Sequence, residues 1–109
     1  EQFTGIVSLI PQTDVYRHSA EIGYWIGEPF WGRGIASASV KLICQYGFEH
    51  LGLNRIYARV FAYNLASRKV LEKCGFSLEG VLRNGVIKNN RLLDDCCYAI
   101  LKDEKLNSQ

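Results

Sequence analysis

The sequence predicts an α/β fold: a mixed, largely antiparallel sheet with helices packed on it. Three observations give this class. Apolar residues alternate with period two in three early segments, and after Ile35 they recur at three- and four-residue spacing. Strands and helices alternate as far as Gly75, after which strands follow one another directly. The length of 109 residues, 48% of them hydrophobic, fits a single packed domain over residues 1–109 and no second.

Residues 3–11 read FTGIVSLIP, a β-branched run closed by proline, and predict a strand. Residues 12–19 are polar and turn-like. Residues 20–26, AEIGYWI, predict a second strand with Ile22, Tyr24 and Ile26 on one face and Glu21, Gly23 and Trp25 on the other. Three glycines and Pro29 then crowd residues 27–34 and predict a loop. Ala36, Val40 and Ile43, with Ile35, Leu42 and Tyr46 widening the stripe, predict an amphipathic helix stopped near Gly52. Arg55–Phe61 alternates with Ile56, Ala58 and Val60 inward. Residues 64–74 predict a short helix ended by Gly75. Residues 76–82, 85–88 and 92–101 predict the last strands, with Asn89-Asn90 as a hairpin turn. The polar tail, residues 102–109, is expected to fray.

Thirteen Lys and Arg against eleven Asp and Glu leave +2, so the composition demands no polyphosphate-tracking groove, and no nucleic-acid partner is expected. No run approaches the ~18 apolar residues of a membrane span, and no basic-then-apolar leader precedes the first strand. A cytoplasmic protein without a membrane partner is expected. Cys44, Cys74, Cys96 and Cys97 form no C-x-x-C pair, and adjacent strand residues point to opposite faces. Reduced, mostly buried cysteines and no metal are therefore expected. His18 and His50 suggest a turn and a helix end.

The informative stretch is Trp31-Gly32-Arg33-Gly34-Ile35-Ala36, between a strand and a helix. Glycines let the backbone curl, and the helix start presents unpaired N–H groups with a partial positive charge, an arrangement suited to phosphate. Arg33 adds charge-assisted bonding at the rim. A dinucleotide G-x-G-x-x-G fails at Ser37, and no Gly-Lys pair exists for a nucleotide P-loop. The same two glycines serve equally to shape a bare strand-to-helix turn.

With its neighbours, this stretch resembles the Gcn5-related N-acetyltransferase (GNAT) family, whose core loop reads R/Q-x-x-G-x-G/A. Gly34 and Ala36 occupy the fourth and sixth positions, and Trp31 replaces the first. W-G-x-G-x-A resembles the branch that acetylates ribosomal-protein N-termini. The downstream run agrees: Asn64-Leu65-Ala66-Ser67, Val70 to Phe76, Glu79-Gly80, Leu82-Arg83, and the D-x-x-x-Y of Asp94 and Tyr98. The resemblance covers about Glu21 to Leu101. It implies the acyl-CoA N-acyltransferase fold, with the N-terminal strand and two helices of the family absent before residue 3.

The resemblance also implies an acetyl-CoA-dependent N-acetyltransferase. Acetyl-CoA would lay its pyrophosphate on the loop of Trp31, Gly32, Arg33, Gly34, Ile35 and Ala36, and its pantetheine along the backbone near Trp25 and Ile26. Asn64 would hydrogen-bond the pantetheine, and Ser67 would meet the leaving thiolate. Read without the family, Asn64 and Ser67 form a helix cap and turn. The acceptor would be a primary amine, first a protein or peptide N-terminus, and direct attack requires a base to remove its proton. Glu21 is the first candidate and Glu79 the second, each read equally as a solvated strand carboxylate. Many members place a tyrosine acid four residues before the Gly-Phe glycine; this chain has Leu71 there. Two alternatives stand: a non-catalytic acyl-CoA-binding module, and an acetyltransferase of polyamines, amino sugars or antibiotics. A small sheet without its N-terminal cover would expose apolar surface, so self-association is expected.

Overall fold

A computed structural model describes residues 5–26 and 34–107, and side chains over residues 8–23 and 34–104. The first alternating segments form β1 (Gly5–Pro11) and β2 (Ser19–Ile26), linked through a 3₁₀ turn at Asp14–Tyr16. They pair antiparallel from Gly5↔Ile26 to Pro11↔Ala20. Then come α1 (Ile35–His50), β3 (Arg55–Phe61), α2 (Leu65–Lys73), β4 (Ser77–Lys88), β5 (Arg91–Leu101) and α3 (Lys102–Asn107). The sheet order is β1-β2-β3-β5-β4, with β2 and β3 parallel and every other pair antiparallel. The mixed sheet follows from α1 acting as a crossover between β2 and β3, and from a two-residue hairpin joining β4 to β5. Asn89 and Asn90 take φ of 53° and 62°, the left-handed values that such a turn demands.

One sheet face carries Ala20, Ile22, Ile56, Ala58, Cys96, Tyr98 and Ile100, all buried, and packs on Val40, Cys44 and Phe48 of α1 and Leu71 of α2. The register puts Glu21, Tyr57, Arg59, Asp95 and Cys97 on the other face, which no described helix of that cluster covers. Cys96 and Cys97 do point apart, and none of the four cysteines is in a disulfide.

Three expectations are corrected. The buried stripe of α1 is Ser37, Val40, Cys44, Gly47 and Phe48, while Leu42 is 69% exposed and Tyr46 54%. Small residues define that face because the helix lies close to the sheet: a Cβ on Gly47 would meet Leu9 Cδ1 of β1 at 3.1 Å and Ile56 Cδ1 of β3 at 3.3 Å. Next, β4 is one strand, bent where its register slips between Leu82 and Val86. Lastly, the tail is helical over Lys102–Asn107. Lys102 N donates to Asn54 O at 3.0 Å, and Leu101 N to Glu104 Oε1 at 3.1 Å, so its first turn is tied down.

Candidate active site

Parallel pairing of β2 with β3 is confined to Ser19↔Arg55, Ala20↔Ile56 and Glu21↔Tyr57. Beyond Glu21 the strands diverge: β2 stays on β1 as far as Ile26, and β3 stays on β5 as far as Phe61. Their facing backbone groups therefore have no ladder partner across the gap. Backbone N–H and C=O groups demand partners, so a ligand built of amides fits such a divergence as an added strand would.

Because β2 and β3 are parallel, the helices that follow both begin at the diverging end. The α1 N-cap is Gly34, at φ 73° and with no side-chain capping bond. Its first-turn amides lack acceptors within the helix, which suits an anion. Ile35 and Ala36 open that turn; Trp31, Gly32 and Arg33 lie outside the described residues, as do the side chains of Trp25 and Ile26. Asn64 caps α2: its Oδ1 accepts from Ser67 N at 3.2 Å. The cap reading of Asn64 and Ser67 is thus realised, and it also places both residues at the diverging end.

Glu21 is the last residue of the β2–β3 pairing, half-buried, on the face away from the helices. Its partner Tyr57 is a residue the sequence reading passed over, although the Arg55–Phe61 alternation already put it on Glu21's face. Burial first, then the Glu21 carboxylate, push the Tyr57 phenol pKa up, opposed by Arg59 and Arg55. The region thus pairs one carboxylate with one neutral phenol. Asp95, opposite Phe61 at the end of β3, was also passed over; it is 3% exposed, and burial pushes its carboxyl pKa up against the pull of Arg59.

Glu79 is placed differently. Arg55 Nη1 donates to its Oε2 at 2.7 Å and Nη2 to its Oε1 at 2.8 Å. These bonds hold the Glu79 carboxyl below the usual range, which makes it a poor proton acceptor and an ion-pair partner first. Leu71, at the position of the family tyrosine, is fully buried in the core.

Known proteins share this fold. The model of the acetyltransferase (GNAT) domain matches residues 1–77. The N-acetyltransferase p20 of Bacillus licheniformis, itself uncharacterized, is 44% identical over 78% of this chain and 48% of its own length. The spermidine N(1)-acetyltransferase of Escherichia coli is 33% identical over 80% of this chain and 46% of its own. Among solved structures, the ribosomal-protein-S5-alanine acetyltransferase of Vibrio fischeri superposes with a TM-score of 0.85 at 28% identity, covering 92% of this chain and 55% of that one. RimJ of Mycobacterium smegmatis, in complex with CoA-disulfide, gives 0.85 at 31%, covering 94% and 49%. The chain spans about half the length of the curated relatives it matches. On the domain match and these identities, the chain belongs to the GNAT acetyltransferase family.

Proposed function

We propose that the intact protein transfers an acetyl group from acetyl-CoA to a primary amine, with a protein or peptide N-terminus as acceptor. The observation that carries the reading is the β2–β3 divergence beyond Glu21, flanked by the starts of α1 and α2. Backbone groups of β2 between Ile22 and Ile26 would bind the pantetheine amides as strand partners. The α1 start at Gly34, Ile35 and Ala36 would hold the pyrophosphate, with Trp31, Gly32 and Arg33 before it. Asn64 keeps its side-chain NH2 as a donor, since capping uses only its oxygen. When bound, acetyl-CoA supplies the acetyl group activated as a thioester.

An amine attacks only when neutral, so a proton must leave it, and Glu21 stands at the mouth of the divergence to accept it. Because α1 and α2 cover the other face, the amine reaches this point from Glu21's side. Ser67 is the hydroxyl at the α2 start that would return a proton to the thiolate, a task Leu71 has no group to perform. The hairpin favours a peptide over a polyamine. Arg83, Lys88 and Arg91 are exposed on it, and Lys88 Nζ is held 5.0 Å from the Phe61 ring centroid and 3.4 Å from Tyr63 Oη. Those cations repel a polycation at short range.

Thiol release from acetyl-CoA, measured with the intact gene product against N-terminal peptides and spermidine, tests this. Faster release with peptides is expected. Faster release with spermidine would select the polyamine reading. CoA binding without release on any amine would select a non-catalytic acyl-CoA module.

A further inference from the structure

The D-x-x-x-Y pair, Asp94 and Tyr98, has no part in the chemistry above, yet both residues converge on the backbone of one residue. Ala62 lies in the turn between β3 and α2, just before Asn64. Its N–H donates to the carbonyl of Asp94 at 3.0 Å. Its carbonyl accepts from Arg68 Nη1 at 3.0 Å. Arg68 Nε in turn donates to the hydroxyl of Tyr98 at 3.0 Å, and that hydroxyl donates to Glu72 Oε2 at 2.8 Å. Tyr98 is fully buried, and burial pushes its pKa up, so the phenol keeps the proton it donates. The Asp94 side chain meanwhile accepts from Asn84 N at 2.9 Å, at the slipped register of β4. Both polar backbone groups of Ala62 are thereby fixed from β5, one directly and one through Arg68.

We propose that Tyr98 is a positioning residue: with Arg68 and Glu72 it clamps the Ala62 turn, and so sets where Asn64 and Ser67 stand against the β2–β3 divergence. This rests on the acetyl-CoA reading given above. The short path supports it. Arg68 follows Ser67 directly, Arg68 N donates to Asn64 O at 3.1 Å, and Asn64 N donates to Phe61 O at 2.9 Å. A shift of Arg68 is therefore passed to both site residues within one turn of chain. The Tyr98 hydroxyl anchors the network in the core, while Arg68 is half-buried and Glu72 exposed, and a network whose members are all hydrogen-bonded favours one arrangement over a range.

The test compares the intact wild-type protein with Tyr98→Phe, Glu72→Gln and Ile100→Val, reading CoA affinity by calorimetry, steady-state kinetics and Tm. Tyr98→Phe keeps the ring in the core and removes only the hydroxyl. At a temperature well below every Tm, it is expected to weaken CoA binding and lower kcat/KM for acetyl-CoA by about tenfold or more, with KM for the amine unchanged. Glu72→Gln retains an acceptor for the phenol and is expected to lose less. Ile100→Val lowers Tm from the same strand and is expected to keep wild-type kinetics. A Tyr98→Phe protein with lower Tm but unchanged CoA affinity and kcat overturns the clamp alone. A wild type that binds no CoA overturns the acetyl-CoA reading and the clamp with it.

Discussion

Arg55 and Glu79 reach across β5 to form a two-pronged ion pair, with bonds of 2.7 and 2.8 Å between the first residue of β3 and the irregular edge strand β4. Arg55 also sits 5.5 Å from the Tyr57 ring centroid, so the pair fixes a cation beside the phenol opposite Glu21. The Arg55 hydrogen bond is the main cause of the depressed Glu79 pKa, and the same bond raises that of Arg55.

A depressed folded-state pKa means that Glu79 stabilises the fold above its ordinary value of 4.5, and that this contribution fades as pH falls through the lower folded value. Side chains 32% and 43% exposed place the pair near the surface, where solvent limits it to under about 1 kcal/mol. Glu79→Gln is expected to lose that much stability in urea melts at pH 7, and nothing relative to wild type once pH is below the folded pKa. Its turnover at neutral pH should match wild type. A large drop in turnover would restore Glu79 as a base.

Glu21 is expected to behave in the opposite manner. Positioned general bases contribute about 10²–10⁴ in rate. Glu21→Gln should lower kcat/KM for the amine by about a hundredfold, while leaving CoA affinity within about twofold. Tyr57→Phe should lose far less. Intact kinetics in Glu21→Gln would reassign the base, with Asp95 as the next carboxylate to change on the same face.

Much of this was legible in the residues themselves. Alternation over Arg55–Phe61 marked a strand buried on one face, and Asn89-Asn90 marked a turn whose left-handed φ values few other residues tolerate. The face of α1 was not legible, because hydrophobicity favoured Leu42 and Tyr46 while the contact surface went to Ser37 and Gly47, residues small enough for close approach. The partner that holds Glu79 was equally hidden. Arg55 is 24 positions away, and the sheet order β3-β5-β4 brings the two together. The divergence of β2 from β3 leaves no mark on either strand's own pattern; the family resemblance supplied only the pantetheine path along the backbone near Trp25 and Ile26. Tyr98 was visible as half of a motif, but its bonds to Arg68 and Glu72 required α2 to be docked.

Gly34→Ala isolates the backbone of the anion-binding turn. Its φ of 73° is strained for any side chain, while an added Cβ meets no atom of the described residues within 4 Å, so the conformational cost is the one to read. About 1–2 kcal/mol is expected from left-handed geometry. If the α1 start holds the pyrophosphate, CoA affinity should fall with it, since relaxing φ re-aims the first-turn amides. Dephosphorylated pantetheine, which offers no pyrophosphate, should bind both proteins alike. Equal CoA affinity for wild type and variant would detach the turn from the cofactor.

Leu71→Tyr asks whether the family's tyrosine acid can be restored by one change. Leu71 is fully buried, and Phe76 N donates to its carbonyl where α2 ends. The site is already packed, so a larger ring forces neighbours aside at about 1–3 kcal/mol, and its hydroxyl would need a partner in an apolar core. Lower Tm with no gain in kcat, and no new basic limb in the pH–rate profile, is expected. The opposite outcome, a rise in kcat with a new limb near the ordinary tyrosine pKa, would show that the ring turns outward to the divergence and that Ser67 is not the proton donor.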